Sequence, residues 1–259
     1  MSPWRLLGVP LLVCATALGA QAQDTPAEPS LFRPFGDFRL RLEQDWNSRS
    51  GDGTQLDDRL RLRFRLRLGL DVNLSDQWRA RVQLRSGPHD SQQSPHITIY
   101  DFDGGSNGPY DFNFDYWYLS FRTEGLELWA GRNQLSYWHQ DDLFLIDNIT
   151  FAGGGGSYHH PLAGGEMTWR ANYVALPAGM RDFSGTSLIA QAEYSRELAS
   201  AGFSVAAGLF STRADPDDPA GELLLTENNT RDYDVLNLQL QHRSTVLGRP
   251  LRLGVEYGH

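Results

Sequence analysis

The stretch Arg59–Asn73 reads RLRLRFRLRLGLDVN, and its alternation decides the fold class. Leu60, Leu62, Phe64, Leu66, Leu68, Leu70 and Val72 occupy every second position, with Arg59, Arg61, Arg63, Arg65 and Arg67 between them. At a helical period the two residue types would scatter around the whole circumference. At the strand period all apolar groups fall on one face and all guanidinium groups on the other, which predicts a strand. Same-face residues then lie about 6.6 Å apart. At that spacing two arginines repel by roughly 0.6 kcal/mol in water and by many times more in a dry interior. An unpaired buried charge costs several kcal/mol. The arginine face must therefore be wet or matched by carboxylates, and the leucine face must be covered by a second sheet or by lipid.

Working outward, Phe38–Trp46 and Gln77–Arg85 repeat the scheme, so three consecutive strands place ten arginines on a shared face. Further strands are predicted at Tyr110–Arg122, Leu126–Leu135, Ile149–His160, Glu166–Ala175, Ser187–Ser195, Phe203–Ser211, Tyr233–His242 and Leu251–Tyr257. The four-glycine run within Ile149–His160 weakens that strand, and Tyr116–Trp117–Tyr118 blurs the two faces of its neighbour. Connections after odd-numbered strands are long and those after even-numbered strands short. A membrane barrel shows that parity, with short turns at one end and long loops at the other. A soluble β-sandwich has no reason for it. Trp46, Trp78, Trp129, Tyr194, Phe210 and Tyr257 lie near strand ends, where interfacial girdles form. The fold expected is all-β, an antiparallel transmembrane β-barrel. About 11 strands are visible, an odd number, and the chain ends on His259 rather than a terminal aromatic. Both features predict a C-terminally truncated fragment of a larger barrel.

The N-terminus supplies the route. Residues 1–22 combine Arg5, an apolar run from Leu6 to Leu18 and an Ala20-x-Ala22 ending, which predicts a cleaved secretory signal peptide. Residues 23–34 are expected to be a flexible lead-in and residues 35–259 a partial barrel domain. Cys14 is the only cysteine, so the processed chain has neither disulfide nor thiolate chemistry. Every one of the 23 basic residues is arginine, and loss of Arg5 leaves 22 against 32 acids, a net charge of −10. That balance argues against general nucleic-acid binding. The mean hydropathy of −0.44 suits a barrel in which half the strand residues face water.

Three segments carry a resemblance: GDFRLRLEQDW (Gly36–Trp46), DDRLRLRFRLRLGLDVNLSDQWRARVQLRSG (Asp57–Gly87) and GRNQLSYWHQDDLFLIDNITFAGGGGSY (Gly131–Tyr158). They resemble the putative porins of Gram-negative bacteria, and more distantly the alginate-export and phosphate-selective porins. The resemblance covers Phe35–His259. It implies an outer-membrane diffusion channel of 16–18 strands, reached by export through the inner membrane, with outer-membrane lipid and small polar or anionic solutes as partners. The protomer could act as a monomer or as a homo-oligomer such as a trimer.

The candidate lumen-lining, anion-selecting residues are Arg39, Arg41, Arg61, Arg63, Arg65, Arg67, Arg79, Arg81 and Arg85. Guanidinium groups on a wet wall concentrate anions and hold carboxylates or phosphates bidentately. Pairing of the same arginines with Glu43, Asp45, Asp71 and loop acids is the equal alternative. The loop after the fifth strand carries Trp138, His139, Asp141, Asp142 and Asp147, which either fold inward as a constriction or belong to an external loop. No metal site is expected, because His139, Asp141 and Asp142, like His159 and His160, match no ligand spacing. No cofactor or catalytic residue is expected either, since no Ser/His pairing has a recognisable spacing. The competing functions are a barrel enzyme, an adhesin or receptor without a pore, and a secreted soluble β-sandwich.

Overall fold

The computed structural model describes residues 30–50, 53–88, 95–105, 110–140, 149–176, 185–214 and 232–259. The expected signal peptide lies outside them. Twelve strands form one antiparallel sheet, and no helix occurs among the described residues. The strands are β1 (Phe32–Asp45), β2 (Arg59–Asn73), β3 (Trp78–Ser86), β4 (Ile97–Asp101), β5 (Phe112–Thr123), β6 (Leu126–Asn133), β7 (Phe151–Leu162), β8 (Gly165–Ala175), β9 (Gly185–Glu197), β10 (Ala201–Ala214), β11 (Tyr233–Val246) and β12 (Arg249–Gly258). Each pairs with its sequence neighbours, except that β3 passes to β5 while β4 pairs with β2. The path does not close, because β1 pairs only with β2 and β12 only with β11. β2 has the bounds its alternation predicts.

Three expectations need correction. The count of eleven becomes twelve, because the polar loop between β3 and β5 returns a short strand, β4, to the free length of β2. β1 begins at Phe32, inside the expected lead-in, because Phe32 to Phe35 pair with Val72 to Gly69 at the far end of β2. Trp129 and Phe210 do not join an outer girdle. Both face the opposite side and are buried in one cluster.

The blurred faces of β5 also resolve. A register shift between Gln83 and Leu84 puts one extra residue, Asp115, into β5. Before this bulge Phe112 and Phe114 stand on the apolar face, and after it Trp117, Leu119 and Phe121 do. The phase of the alternation therefore slips by one residue within a continuous strand.

Burial is inverted relative to a water-soluble sheet. Leu40, Leu42, Phe114, Trp169, Tyr173, Leu240 and Leu253 are among many large apolar side chains left exposed. Asp71, Gln83, Arg85, Asp115, Asn172, Gln191, Glu193, Asn237 and Gln239 are buried on the other face. The cross-strand register keeps each face continuous from β1 to β12. At one end the strands are joined by short turns. Ala163–Gly164 and Leu247–Gly248 both hold φ near +50° and +75°, the left-handed pair that a two-residue hairpin needs.

Candidate functional site

The polar face has two differently built sectors. On β1 to β3 the register sets Arg39 opposite Arg65 and Arg41 opposite Arg63, pairs that repel. Carboxylates one rung away relieve them. Glu43 accepts from Arg61 Nη2 at 2.5 Å and Arg63 Nη1 at 2.9 Å, and it also pairs with Arg41. Asp37 takes Arg65 at 2.6 Å and Arg67 at 3.5 Å, and Asp45 takes Arg61 at 2.7 Å and Arg59 at 3.4 Å. Asp71 holds Arg81 bidentately, Nε to Oδ1 at 2.6 Å and Nη2 to Oδ2 at 2.8 Å. Arg81 also stands 4.6 Å over the ring of Phe35, which occupies the space left by the missing side chain of Gly69. Arg85 lies 3.6 Å from Asp115, whose other oxygen accepts from Gln83 Nε2 at 2.8 Å.

The predicted arginines thus come together, and most are paired. Arg79 instead donates to Asn73 Oδ1 at 3.1 Å, and Arg39 has no ion-pair partner among the described residues. Strands β1 to β5 carry twelve arginines (Arg33, Arg39, Arg41, Arg59, Arg61, Arg63, Arg65, Arg67, Arg79, Arg81, Arg85, Arg122) against Asp37, Glu43, Asp45, Asp71, Asp101 and Asp115 on the same face. A net positive charge remains. Nε of Arg41 and Nε of Arg61 are buried without a hydrogen bond.

His96 enters this sector from the connection preceding β4, and sequence reasoning missed it. Its carbonyl accepts from Arg63 Nη2 at 3.1 Å. Burial, reinforced by Arg41, Arg63, Arg65 and Arg39, pushes its imidazole down to about 4. It stays neutral at physiological pH.

The second sector spans β6 to β12, where the segment 134–140 lies along the polar face. The wall here carries amides alongside charged groups, among them the ion pair of Arg170 and Glu193 at 2.7 Å. Asn172 accepts from Ser136 N at 2.9 Å and donates to Ser136 O at 2.9 Å. Gln191 accepts from Trp138 N at 2.8 Å and donates to Trp138 O at 2.7 Å. Two side-chain amides therefore satisfy the backbone of alternate loop residues, as a neighbouring strand would. Leu135 and Tyr137 pack instead on a cluster of Trp129, Phe151, Val174, Ile189 and Phe210. Tyr137 Oη donates to Asn237 Oδ1 at 2.9 Å, and its ring meets Phe210 at 4.9 Å. Burial pushes the Tyr137 hydroxyl up to about 12, with Glu256 adding to the effect. Gln140 Nε2 donates to Val255 O at 2.9 Å.

Glycines make room for this seat. A β-carbon at Gly155 would overlap the Asn172 carboxamide, one at Gly208 the Tyr137 hydroxyl, and one at Gly254 the Gln140 carboxamide. The register places all three on the polar face. Sequence reasoning took the glycine run as a weakness in β7. Its member Gly155 is the clearance for the clamp Asn172.

Of the candidate constriction residues, Trp138 and His139 lie at this seat, and Asp141, Asp142 and Asp147 fall outside the described residues. Among the described residues no group of three potential ligands could hold a metal ion.

A family model described as "Putative porin" matches residues 52–198, more than half of the chain and all of the strands β2 to β9. The chain belongs to the putative porin family. The match takes in the arginine strand β2, the seated segment 134–140 and the clamps Asn172 and Gln191 of this porin wall. A comparison with curated proteins finds no match.

Proposed function

We propose that the chain forms the wall of a water-filled outer-membrane diffusion channel, with its polar face toward the lumen and an arginine sector that favours anionic solutes. The carrying observation is the inverted burial. A face of exposed leucine, phenylalanine, tryptophan and valine running through every strand requires lipid as its solvent. The opposite face is charged and hydrogen-bonded, as a water-filled lumen requires. Membership of the porin family supports the same reading. In hydrocarbon the open edges of β1 and β12 need further strand partners, because unpaired backbone there costs several kcal/mol per group. The short turns are assigned to the periplasmic side.

The excess of arginine over acid on β1 to β5 sets the sign of the selectivity. Seated segment 134–140 narrows the lumen on the facing sector. Reversal potentials of the full-length protein in planar bilayers under a salt gradient test this reading. Anion preference that falls in Arg39→Ala and Arg79→Ala supports it. A cation-selective pore, or selectivity indifferent to both changes, removes the arginine sector from the function.

A further inference from the structure

The apolar face is not uniformly filled. Between β5 and β11 it bears a hollow of about 1260 Å³ whose floor is made of Gly156, Ala171, Ala190, Ala192 and Ala207. Trp78, Phe121, Tyr158, Trp169, Leu209 and Leu236 rise around it. A second hollow of about 480 Å³ adjoins it and shares Ala192 and Ala207. Its far wall includes Tyr194, Leu240 and Tyr257. Two joined apolar trenches open to the membrane side of the sheet.

The outward side chains of β9 give the trenches a direction. From the short-turn end they read Arg196, Tyr194, Ala192, Ala190 and Leu188, the residues alternating with the polar-face set Ser195, Glu193, Gln191 and Ile189. Arg196 is exposed and makes no ion pair or hydrogen bond among the described residues. It stands beside the turn at Gly164. His160, stacked on Tyr158 at 5.5 Å, and His242 face the same side at nearby rungs. Tyr194 Oη is anchored on Ala163 O at 3.2 Å. A cation, an amphipathic aromatic and an alanine floor therefore follow one another along a single strand.

From this arrangement we infer a phospholipid site of the periplasmic leaflet. Its two acyl chains lie in the adjoining trenches and its phosphodiester is held by Arg196. This rests on the membrane placement proposed above. Six residues separate Arg196 from Ala190, about 20 Å along a strand. With strands tilted by about 45° this is roughly 14 Å of depth, close to half of a hydrocarbon core of about 30 Å. One leaflet is thus spanned from headgroup to chain end. Arg196 suits a phosphodiester because its planar fork donates two hydrogen bonds to one anion, and its stem reaches to the interface.

The test uses the full-length protein refolded into nanodiscs of phosphatidylethanolamine and phosphatidylglycerol, released into mild detergent and weighed by native mass spectrometry. Wild type is expected to retain one phospholipid per chain. Ala192→Trp fills the floor common to both trenches and should abolish retention, whereas Val82→Trp, on the same face of β3, should not. Arg196→Gln, a surface change that leaves folding intact, should weaken retention of phosphatidylglycerol about fivefold, the worth of one cation near an anionic membrane surface. Retention of diacylglycerol, added to the same nanodiscs, should be unchanged. Equal retention in wild type and Arg196→Gln overturns the site. So does a wild type that carries no lipid but forms dimers which Ala192→Trp dissociates, because a second copy then fills the trenches. Conductance of the same samples is read in parallel. Loss of lipid with the pore intact concerns this site alone, and a protein without a pore fails the channel reading instead.

Discussion

The two sectors of the polar face solve one problem by opposite means. On β1 to β3 long charged side chains cover the wall themselves, most guanidinium groups steadied by a nearby carboxylate. On β6 to β12 glycines and amides leave room on the wall, and a piece of backbone is laid upon it. In the channel proposed above, the first sector would present its charge to solutes. The second turns the amides of Asn172 and Gln191 to that backbone, beside the ion pair of Arg170 and Glu193. The proposed lumen would have one side that attracts and one side that narrows.

The sharpest way to break this division is at Gly208. Gly208→Leu would drive a side chain into the site of Tyr137, and loss of the four clamp hydrogen bonds, each worth about 1 kcal/mol, would unseat the segment. With Trp138→Cys as a reporter in a chain whose only other cysteine is Cys14, labelling should accelerate by about a hundredfold, the equivalent of about 3 kcal/mol. Unchanged protection would mean that the amides alone hold the loop. Removing the amides with Asn172→Ala and Gln191→Ala should accelerate labelling less, by about tenfold to fiftyfold, because the apolar cluster under Tyr137 persists.

The charged sector is probed by Glu43→Gln, which takes from Arg41, Arg61 and Arg63 their shared carboxylate. A unit charge about 8 Å from a permeating ion in water is worth about 0.5 kcal/mol, so anion-to-cation permeability should rise about twofold in bilayer recordings. No rise would show that solutes do not pass this wall. The smallest effect is expected from His96. Its folded value of about 4 lies below the unfolded value of about 6.5, so the unfolded chain binds the extra proton between them. Stability is then complete above about 6.5 and falls as pH drops toward 4. Denaturant unfolding in liposomes should show a shallower acid decline in His96→Gln than in wild type.

Much of this was legible in the residues because period-two alternation survives in nine of the twelve strands and faintly in β7. β2 was fixed to the residue by Arg59 and Asn73, where the alternation starts and stops. The other two strands resisted for separate reasons. β4 is five residues long and hidden in a polar loop, and it is a strand only because β2 outruns β3 and leaves its edge unpaired. β5 changes phase at Asp115, which a fixed period cannot represent. The arginines could be assembled from sequence, with Glu43, Asp45 and Asp71 as partners, but Asp37 and the rung-by-rung assignment could not, since they depend on the cross-strand register. The loop seat was least visible. Its clamps are an ordinary asparagine and glutamine, and its contacts join residues up to 115 apart in the chain.

The three cleared positions also reverse the usual logic of an alanine scan. At Asn172 or Gln191 alanine is a deletion, and the loop keeps its apolar bed. At Gly155, Gly208 and Gly254 alanine is an insertion of matter into occupied space. A survey that looks for function in the side chains present would score the clamps and pass over the glycines. In this wall, what guides the loop is a template of absences, and adding one carbon should disturb it more than taking a whole carboxamide away.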